Sequence, residues 1–468
     1  MLFRSFFVSC ERLFRPVTRN VPVVVLSSND GCAVARSNEA KELGIKMGDP
    51  LHELKKRFTV IDGTSALHKR RQGIIAFSAN FELYGDISRR VAAVLMRITP
   101  RLELYSIDEA FLDISQLEIT DYESWGRTLA ATIEREVGVP VSVGVAPTKT
   151  LCKLAADYAK HHPDCGGAYY ISAHCADEPV HSAAASERRA VPPSAQSRGR
   201  RGTRQTPFQE WKTVLTMTPV ADIWGIGWRL TPRLRAEGIH TAADLAAMPP
   251  KRAQQLMGIH GRRIVAELNG TSCIPMNTVH KPQQVISRGR QFGRDTGDID
   301  IVSAAAARMT NHACHALRRE GLLATRATVW LMTNRKKPAY TVVHIDVRLY
   351  MPTADTGYIA HQLITMLRHR FDSRHAWHKA EVTLWNLMPD SSLQTELFGI
   401  VSPAQYERST ALMTALDHLN RKHGKGMLRY AAEDLSHAWY PRRSMQSPPY
   451  TTDWRKLPEL RATEPAGS

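Results

Sequence analysis

Apolar residues recur along this chain with two different periods, and the points where one period gives way to the other outline its elements. The β-branched run "VPVVVL" (Val21 to Leu26) has the density of a buried strand. "SNEAKELGIKMGDP" (Ser37 to Pro50) reads as a helix closed by Gly44 and a following loop. "FELYGDISRRVAAVLMRITP" carries an apolar face at helical spacing and is ended by Pro100. The next stretch, "RLELYSIDEAFLDIS" (Arg101 to Ser115), changes to period two: Leu102, Leu104 and Ser106 share one face, and Ala110, Leu112 and Ile114 resume the pattern. Two strands joined by a two-residue turn fit it, with Asp108 and Glu109 side by side at the junction. Such turns favour Asn-Gly or Asp-Gly, because both central residues need positive φ, so Asp-Glu is a poor turn former. Alternation alone leaves two readings open, a solvated tip or a pair placed for chemistry. A helix ("YESWGRTLAATIEREVG"), a strand ("VPVSVGVA") and a helix ("TKTLCKLAADYAKHH") follow. That order predicts an antiparallel sheet backed by helices.

Between Ala176 and Gln205 the periodicity stops. The stretch offers Ser, Ala, Pro, Gly and the arginines 188, 189, 198, 200, 201 and 204, and it reads as a linker or disordered insert. Beyond it, "IWGIGWRLTPRLRAEGIHTAADL" sets Gly225 and Gly227 between an apolar turn and a helix ending at Gly238, the pattern of a helix-hairpin-helix. Glycines there let backbone N–H groups approach a phosphate and hold DNA without reading its sequence. From Val285 to Asn386, strand-like and helical segments alternate as a second α+β unit. A polar loop with "QTELFG" (Gln394 to Gly399) and a tail rich in Pro, Arg and Tyr complete the chain.

Composition narrows the partners. With 468 residues the chain exceeds the size of one hydrophobic core, so three or four domains are expected. Its 62 Lys+Arg against 45 Asp+Glu, a formal charge of +17, favour a polyanion, nucleic acid before membrane. The longest apolar runs are far too short to span a bilayer, and "MLFRSFFVSCERLF" is no secretory signal, so a cytoplasmic location is expected. Seven cysteines without a C-x-x-C pair suit a reducing compartment. The group His161, His162, Cys165, His174 and Cys175 matches no compact zinc spacing.

"YSIDEAFLD", "VPVSVGVAPTKTLCKLAADYAK", "IWGIG…LRAEGIHTAADL", "VVVLSSNDGCAVARSNEAKELGIKMGDP" and the tail "WYPRRSMQSPPYTTDW" together resemble the Y-family translesion DNA polymerases, and in particular their UmuC-like branch, the catalytic subunit of DNA polymerase V. The NDGC segment and the Tyr-Thr-Thr tail mark that branch. The resemblance implies a multidomain α+β right-hand polymerase: a ferredoxin-like palm (1–10 and 71–170), small fingers (11–70), a helix-hairpin-helix thumb (211–275), an α+β little finger (285–390) and a clamp-binding loop and tail (391–468), with the insert at 171–210. The activity it implies is error-prone synthesis on a primer in an SOS-type damage response.

Residue by residue, the resemblance assigns two Mg²⁺ ions to Asp108 and Glu109, hard carboxylate ligands suited to in-line phosphoryl transfer. Ser106 and Tyr105 shape the same motif. Asn38, Lys41 and Lys160 match positions that approach the incoming triphosphate, and Phe7 the aromatic steric gate under the sugar, a core phenylalanine being the other reading. Gln394, Leu397 and Phe398 resemble a sliding-clamp peptide. The implied partners are primer-template DNA, deoxynucleoside triphosphates, the clamp, a UmuD-like dimer and RecA. One departure stands out. The family's third carboxylate, an Asp four residues before the first aromatic of "FFVSCE", falls on Leu2. Either a first strand bearing it lies upstream or the copy is degenerate. The alternative reading is then a catalytically impaired DNA- and clamp-binding protein.

Overall fold

The computed structural model describes residues 2–3, 5–65, 73–172, 207–278, 283–392, 403–424, 426–433 and 439–457. The predicted insert falls almost wholly outside them. β1 (Leu2–Phe3) leads into α1 (Phe6–Phe14), whose Phe6, Val8 and Cys10 are buried in the palm. The fingers follow: β2 (Val23–Leu26), β3 (Ala33–Arg36), α2 (Asn38–Glu42), α3 (Leu51–Arg57), β4 (Val60–Asp62) and β5 (Ile74–Ser78). Their sheet has the order β3-β2-β5-β4. β5 lies after residue 70, inside the span that the sequence reading gives to the palm. It runs parallel to both β2 and β4, and Ile74 and Ala76 fill the fingers core beside Val24 and Leu26.

α4 (Phe81–Met96) then returns to the palm, where β6 (Leu102–Ser106) and β7 (Glu109–Leu112) form the acid hairpin. α5 (Tyr122–Val137) starts on the Asp121 carboxylate, which accepts from the N–H groups of Glu123 and Ser124, and stops at Gly138 with φ 83°. β8 (Val141–Val145), α6 (Lys149–His161) and β9 (Ala168–Tyr170) complete the sheet, in the order β6-β7-β1-β8-β9. The two-residue β1 is its central strand: Leu2 is in register with Glu109 on one side and with Ser142 on the other.

The thumb is helical: α7 (Pro207–Met217), α8 (Thr231–Ala236), α9 (Ala242–Ala246) and α10 (Pro250–Leu268). Its joint with the palm is built on Glu267, which is fully buried. Its carboxylate accepts from the N–H of Thr150 in the first turn of α6 and from those of Cys273 and Ile274, while Thr148 Oγ1 donates to its carbonyl. A carboxylate at a helix N-terminus with three N–H donors is a satisfied buried charge.

The little finger comprises β10 (Ile286–Thr296), α11 (Ile299–Arg319), β11 (Leu322–Thr333), β12 (Val342–Thr353), α12 (Thr356–Arg370), β13 (Trp377–Trp385) and β14 (Met388–Pro389). Its main sheet, β10-β13-β11-β12, is antiparallel, and Ala327, Val329 and Leu331 pack in the core with Val382 and Leu384. α13 (Pro403–His423) follows, and the tail then runs back to the fingers and palm. Among the described residues no helix is long and apolar enough to cross a membrane, and Cys10 and Cys314 are buried thiols outside any disulfide.

Candidate functional site

The hairpin corrects the turn read from the sequence. Ile107 and Asp108 form the turn and Glu109 opens the returning strand, so the two carboxylates do not share the tip. Neither turn residue has positive φ, which removes the conformational objection to acids there. A register irregularity between Leu104 and Ser106 accommodates the change. Ser106 Oγ donates to the Asp108 carboxylate at 2.5 Å and accepts from the Asp108 N–H at 3.2 Å, which holds that side chain over the turn.

Glu109 is held by a residue the sequence reading did not single out. Lys153 Nζ donates to both Glu109 oxygens, at 3.0 and 2.9 Å. The same ammonium lies 5.1 Å from the ring centre of Tyr105 and 5.2 Å from that of Trp224 in the thumb, and the Trp224 indole N–H donates to the Tyr105 hydroxyl. One turn earlier on α6, Lys149 donates to Glu103 of β6 and to the carbonyl of Pro275, with Phe111 under its ammonium. A sequence signal existed: positions 149, 153 and 160 are spaced i, i+4, i+11, which is one face of a helix.

That helix and the fingers meet at a cluster of cations. Lys41, on α2, has its ammonium pushed below the usual lysine range, first by burial and then by Lys160 and Arg36, with Asp157 acting in the opposite sense. Lys41 also donates to the Asn38 side chain at 3.0 Å. Arg36 donates to the Ile45 carbonyl, while its Nε is buried without a partner. The structure therefore brings together Asn38, Lys41 and Lys160, and adds Arg36.

Phe7 is half-buried, stacked on Tyr84 at 4.5 Å and edge-on to Phe81 at 5.7 Å. Beneath it lies a closed polar pocket. Tyr84 donates to Glu11 Oε1 at 2.7 Å and Ser447 at 3.2 Å, while Glu11 Oε2 has no partner. Burial is the main cause pushing the Glu11 carboxyl up to about 7, against the lowering effects of those hydroxyls and of Arg15.

In the thumb, Gly225 (φ 91°) and Gly227 are exposed on the loop before α8, and a Cβ on Gly227 would meet nothing within 4 Å. Backbone can approach a ligand closely there. On the little finger, Arg290 on β10 is held below the usual arginine range by burial and then by Arg443, and Arg288 by burial and then by Arg319. These arginines form a positive seam that the sequence reading did not locate. Gln394, Leu397 and Phe398 lie outside the described residues. No group of three or more His, Cys, Asp or Glu that could hold a metal ion occurs among the described residues, and His174 and Cys175 of the histidine- and cysteine-rich stretch lie outside them.

Comparison with known proteins covers most of the chain. Residues 1–157 match the impB/mucB/samB family, residues 283–397 its C-terminal domain, and residues 410–460 a domain of unknown function, DUF4113. Protein SamB of Salmonella typhimurium is 33% identical over 98% of both chains, and Protein UmuC of Salmonella typhimurium is 34% identical over 97% of both. Among solved structures, a Y-family DNA polymerase chimera of Dbh and Dpo4 superposes with a TM-score of 0.58 at 21% identity, over 83% of this chain and 98% of that one.

Proposed function

Because this chain belongs to the impB/mucB/samB family of Y-family DNA polymerases, we propose that it adds deoxynucleotides to a primer 3′ end opposite damaged template, in an SOS-type damage response. The observation that carries this reading is Lys41, half-buried, hydrogen-bonded to Asn38 at 3.0 Å and lying within range of the charges of Lys160 and Arg36, with Asp157 opposing them. Cations repel one another at close range, so such a cluster is built for a polyanion, and a triphosphate is the polyanion of this reaction. In this reading Asn38 adds a polar contact to it, Phe7 lies under the sugar and disfavours a 2′ hydroxyl, and Gly225 and Gly227 offer N–H groups to DNA phosphates. Arg288, Arg290 and Arg443 extend the electrostatic grip along the duplex.

The family is metal-dependent, and two Mg²⁺ ions are the expected complement of the hairpin. Asp108 and Glu109 suit such ions chemically, but the set they belong to is short. Position 2, in register with Glu109, is leucine, and both Glu109 oxygens are engaged by Lys153. Water and phosphate oxygens fill most of a Mg²⁺ shell, so what leucine at position 2 withholds is the third carboxylate that the family resemblance assigns to the ions. That mismatch favours a second reading, a DNA- and clamp-binding protein that keeps the scaffold with impaired chemistry. Primer extension with Mg²⁺ separates the two: efficient synthesis by the chain as it stands discards the second.

Triphosphate binding tests the observation that both readings share. On a primer-template, Lys41→Ala and Lys160→Ala should each weaken deoxynucleoside triphosphate binding by about tenfold or more, the scale of a charge-assisted hydrogen bond. Unchanged affinity in both variants overturns the assignment. Clamp docking is assigned to Gln394, Leu397 and Phe398, with a UmuD-like dimer and RecA as activating partners. Leu397→Ala with Phe398→Ala should cost roughly 2–4 kcal/mol of clamp affinity and leave DNA binding intact.

A further inference from the structure

The C-terminal family segment of unknown function threads three hydrophobic cores in a dozen residues. Trp439 is buried in the little finger core with Phe292, Met445 in the fingers core with Leu26 and Ile74, and Tyr450 in the palm core, stacked on Phe14 at 4.6 Å. Between these anchors the backbone is paired almost residue by residue. The Trp439 carbonyl accepts from the Gly293 N–H, and a Cβ on Gly293 would come within 2.4 Å of the Tyr440 carbonyl oxygen. The Arg442 N–H donates to Asn29 Oδ1, while the other end of the same amide donates to the Phe292 carbonyl. One fingers side chain thus grips both the tail and the little finger.

The buried Asp30 carboxylate accepts from Ser78 on one oxygen and, on the other, from the N–H and Oγ of Ser444. Ser78 and Met445 exchange hydrogen bonds at 2.9 and 3.0 Å. Asn80 donates to both the carbonyl and the hydroxyl of Ser447, and that hydroxyl donates on to the buried Glu11. Asn29 and Asp30 adopt positive φ, at 61° and 51°, a conformation uncommon for residues other than glycine. The NDGC segment is held in it while presenting both side chains to the tail.

We propose that residues 439–450 are an intramolecular strap, docked in a groove formed by Glu11, Asn29, Asp30, Ser78 and Asn80, which holds the little finger at a fixed spacing from the fingers and palm. The chain length sets the limit. Met445 lies six positions after Trp439, and six residues fully extended span at most about 20 Å. The two cores cannot move further apart unless an anchor leaves its pocket. The groove is therefore a binding site for a peptide of this chain, recognised by a buried acid that takes a serine N–H and hydroxyl and by an amide that reads backbone.

The test uses the full chain and two variants. Asp30→Ala removes the acceptor. Ser444→Pro, at an exposed position, removes the N–H and hydroxyl donors without disturbing a core. Both should raise amide exchange at Met445 and Ser447 by about tenfold or more, the effect of losing two hydrogen bonds from one opening unit. Both should also increase the radius of gyration in small-angle scattering. Unchanged exchange at the strap in Ser444→Pro overturns the docking. Faster exchange with an unaltered scattering profile overturns the holding role. Should Asp30→Ala fail to fold, Ser444→Pro decides alone.

Discussion

Two acids, Glu109 on β7 and Glu11 on α1, use the same functional group in opposite ways. Glu109 is partly exposed and partnered by a full charge, the Lys153 ammonium, on both oxygens. Glu11 is fully buried, meets only the hydroxyls of Tyr84 and Ser447, and is pushed by burial up to about 7. A carboxylate kept near a cation and near solvent is available to exchange partners. One kept in a closed pocket of neutral donors is a structural joint whose charge is a liability. Under the proposed function, the difference separates the acid assigned to the reaction from the acid that meets the tail at Ser447.

The largest effect should come from the hairpin side. Position 2 is in register with Glu109 across the β1–β7 pair, so it is where the family's third carboxylate would be restored. Leu2→Asp should raise primer extension by about a hundredfold or more, the scale of one preorganised charge at a reacting centre. Asp108→Ala in that background should remove the gain. Efficient synthesis by the chain as it stands, or a restored activity indifferent to Asp108, breaks the contrast, because the hairpin would then not be the exchangeable site.

The Glu11 side gives a smaller effect, read as stability against pH. An unfolded glutamate titrates near 4.3, whereas Glu11 in the fold titrates at about 7. Between those values the folded state binds more protons than the unfolded one, so stability is full below about pH 4 and falls as the pH rises to about 7. The loss amounts to roughly 4 kcal/mol by pH 8. Glu11→Gln keeps the shape and removes the charge, so it should flatten that part of the profile and raise the melting temperature at pH 8. A variant whose stability keeps the wild-type slope between pH 5 and 7 would show that another group is responsible.

How much of this was legible in the sequence follows from the range of each interaction. The hairpin strands, the helices capped by Asp121 and Thr148, and the helix-hairpin-helix could be read because their signals lie within a dozen residues. The strand Leu2–Phe3 is two residues long and carries no period, so its place between β7 and β8 is visible only from pairing across the sheet. Lys41 and Lys160 entered through family resemblance, whereas Arg36, one position before the quoted helix start at Ser37, was not singled out. The bond from Arg442 to Asn29 joins residues 413 positions apart. No local pattern announces a contact of that kind, although both partners lie in segments that mark the UmuC-like branch.

The smallest expected effect sharpens the comparison most, because it asks whether the charge on Glu109 is fixed or exchangeable. Lys153 and Glu109 are 16% and 22% exposed, a partly solvated pair, so losing the bridge costs little in stability. Lys153→Met should change unfolding free energy by no more than about 1 kcal/mol, after allowing for solvent screening. Its local consequence is different. The ammonium is what the Tyr105 and Trp224 rings share, and without it Trp224 itself is held to the hairpin by its indole N–H to Tyr105 and by ring packing on Tyr105 and Phe111. Trp224 should therefore become more accessible to acrylamide, measured as the quenching difference between each protein and its Trp224→Phe counterpart, which removes the signal of the other tryptophans. A large loss of stability in Lys153→Met, with Trp224 equally shielded before and after, would place Glu109 with Glu11 among the structural joints and erase the distinction between the two sites.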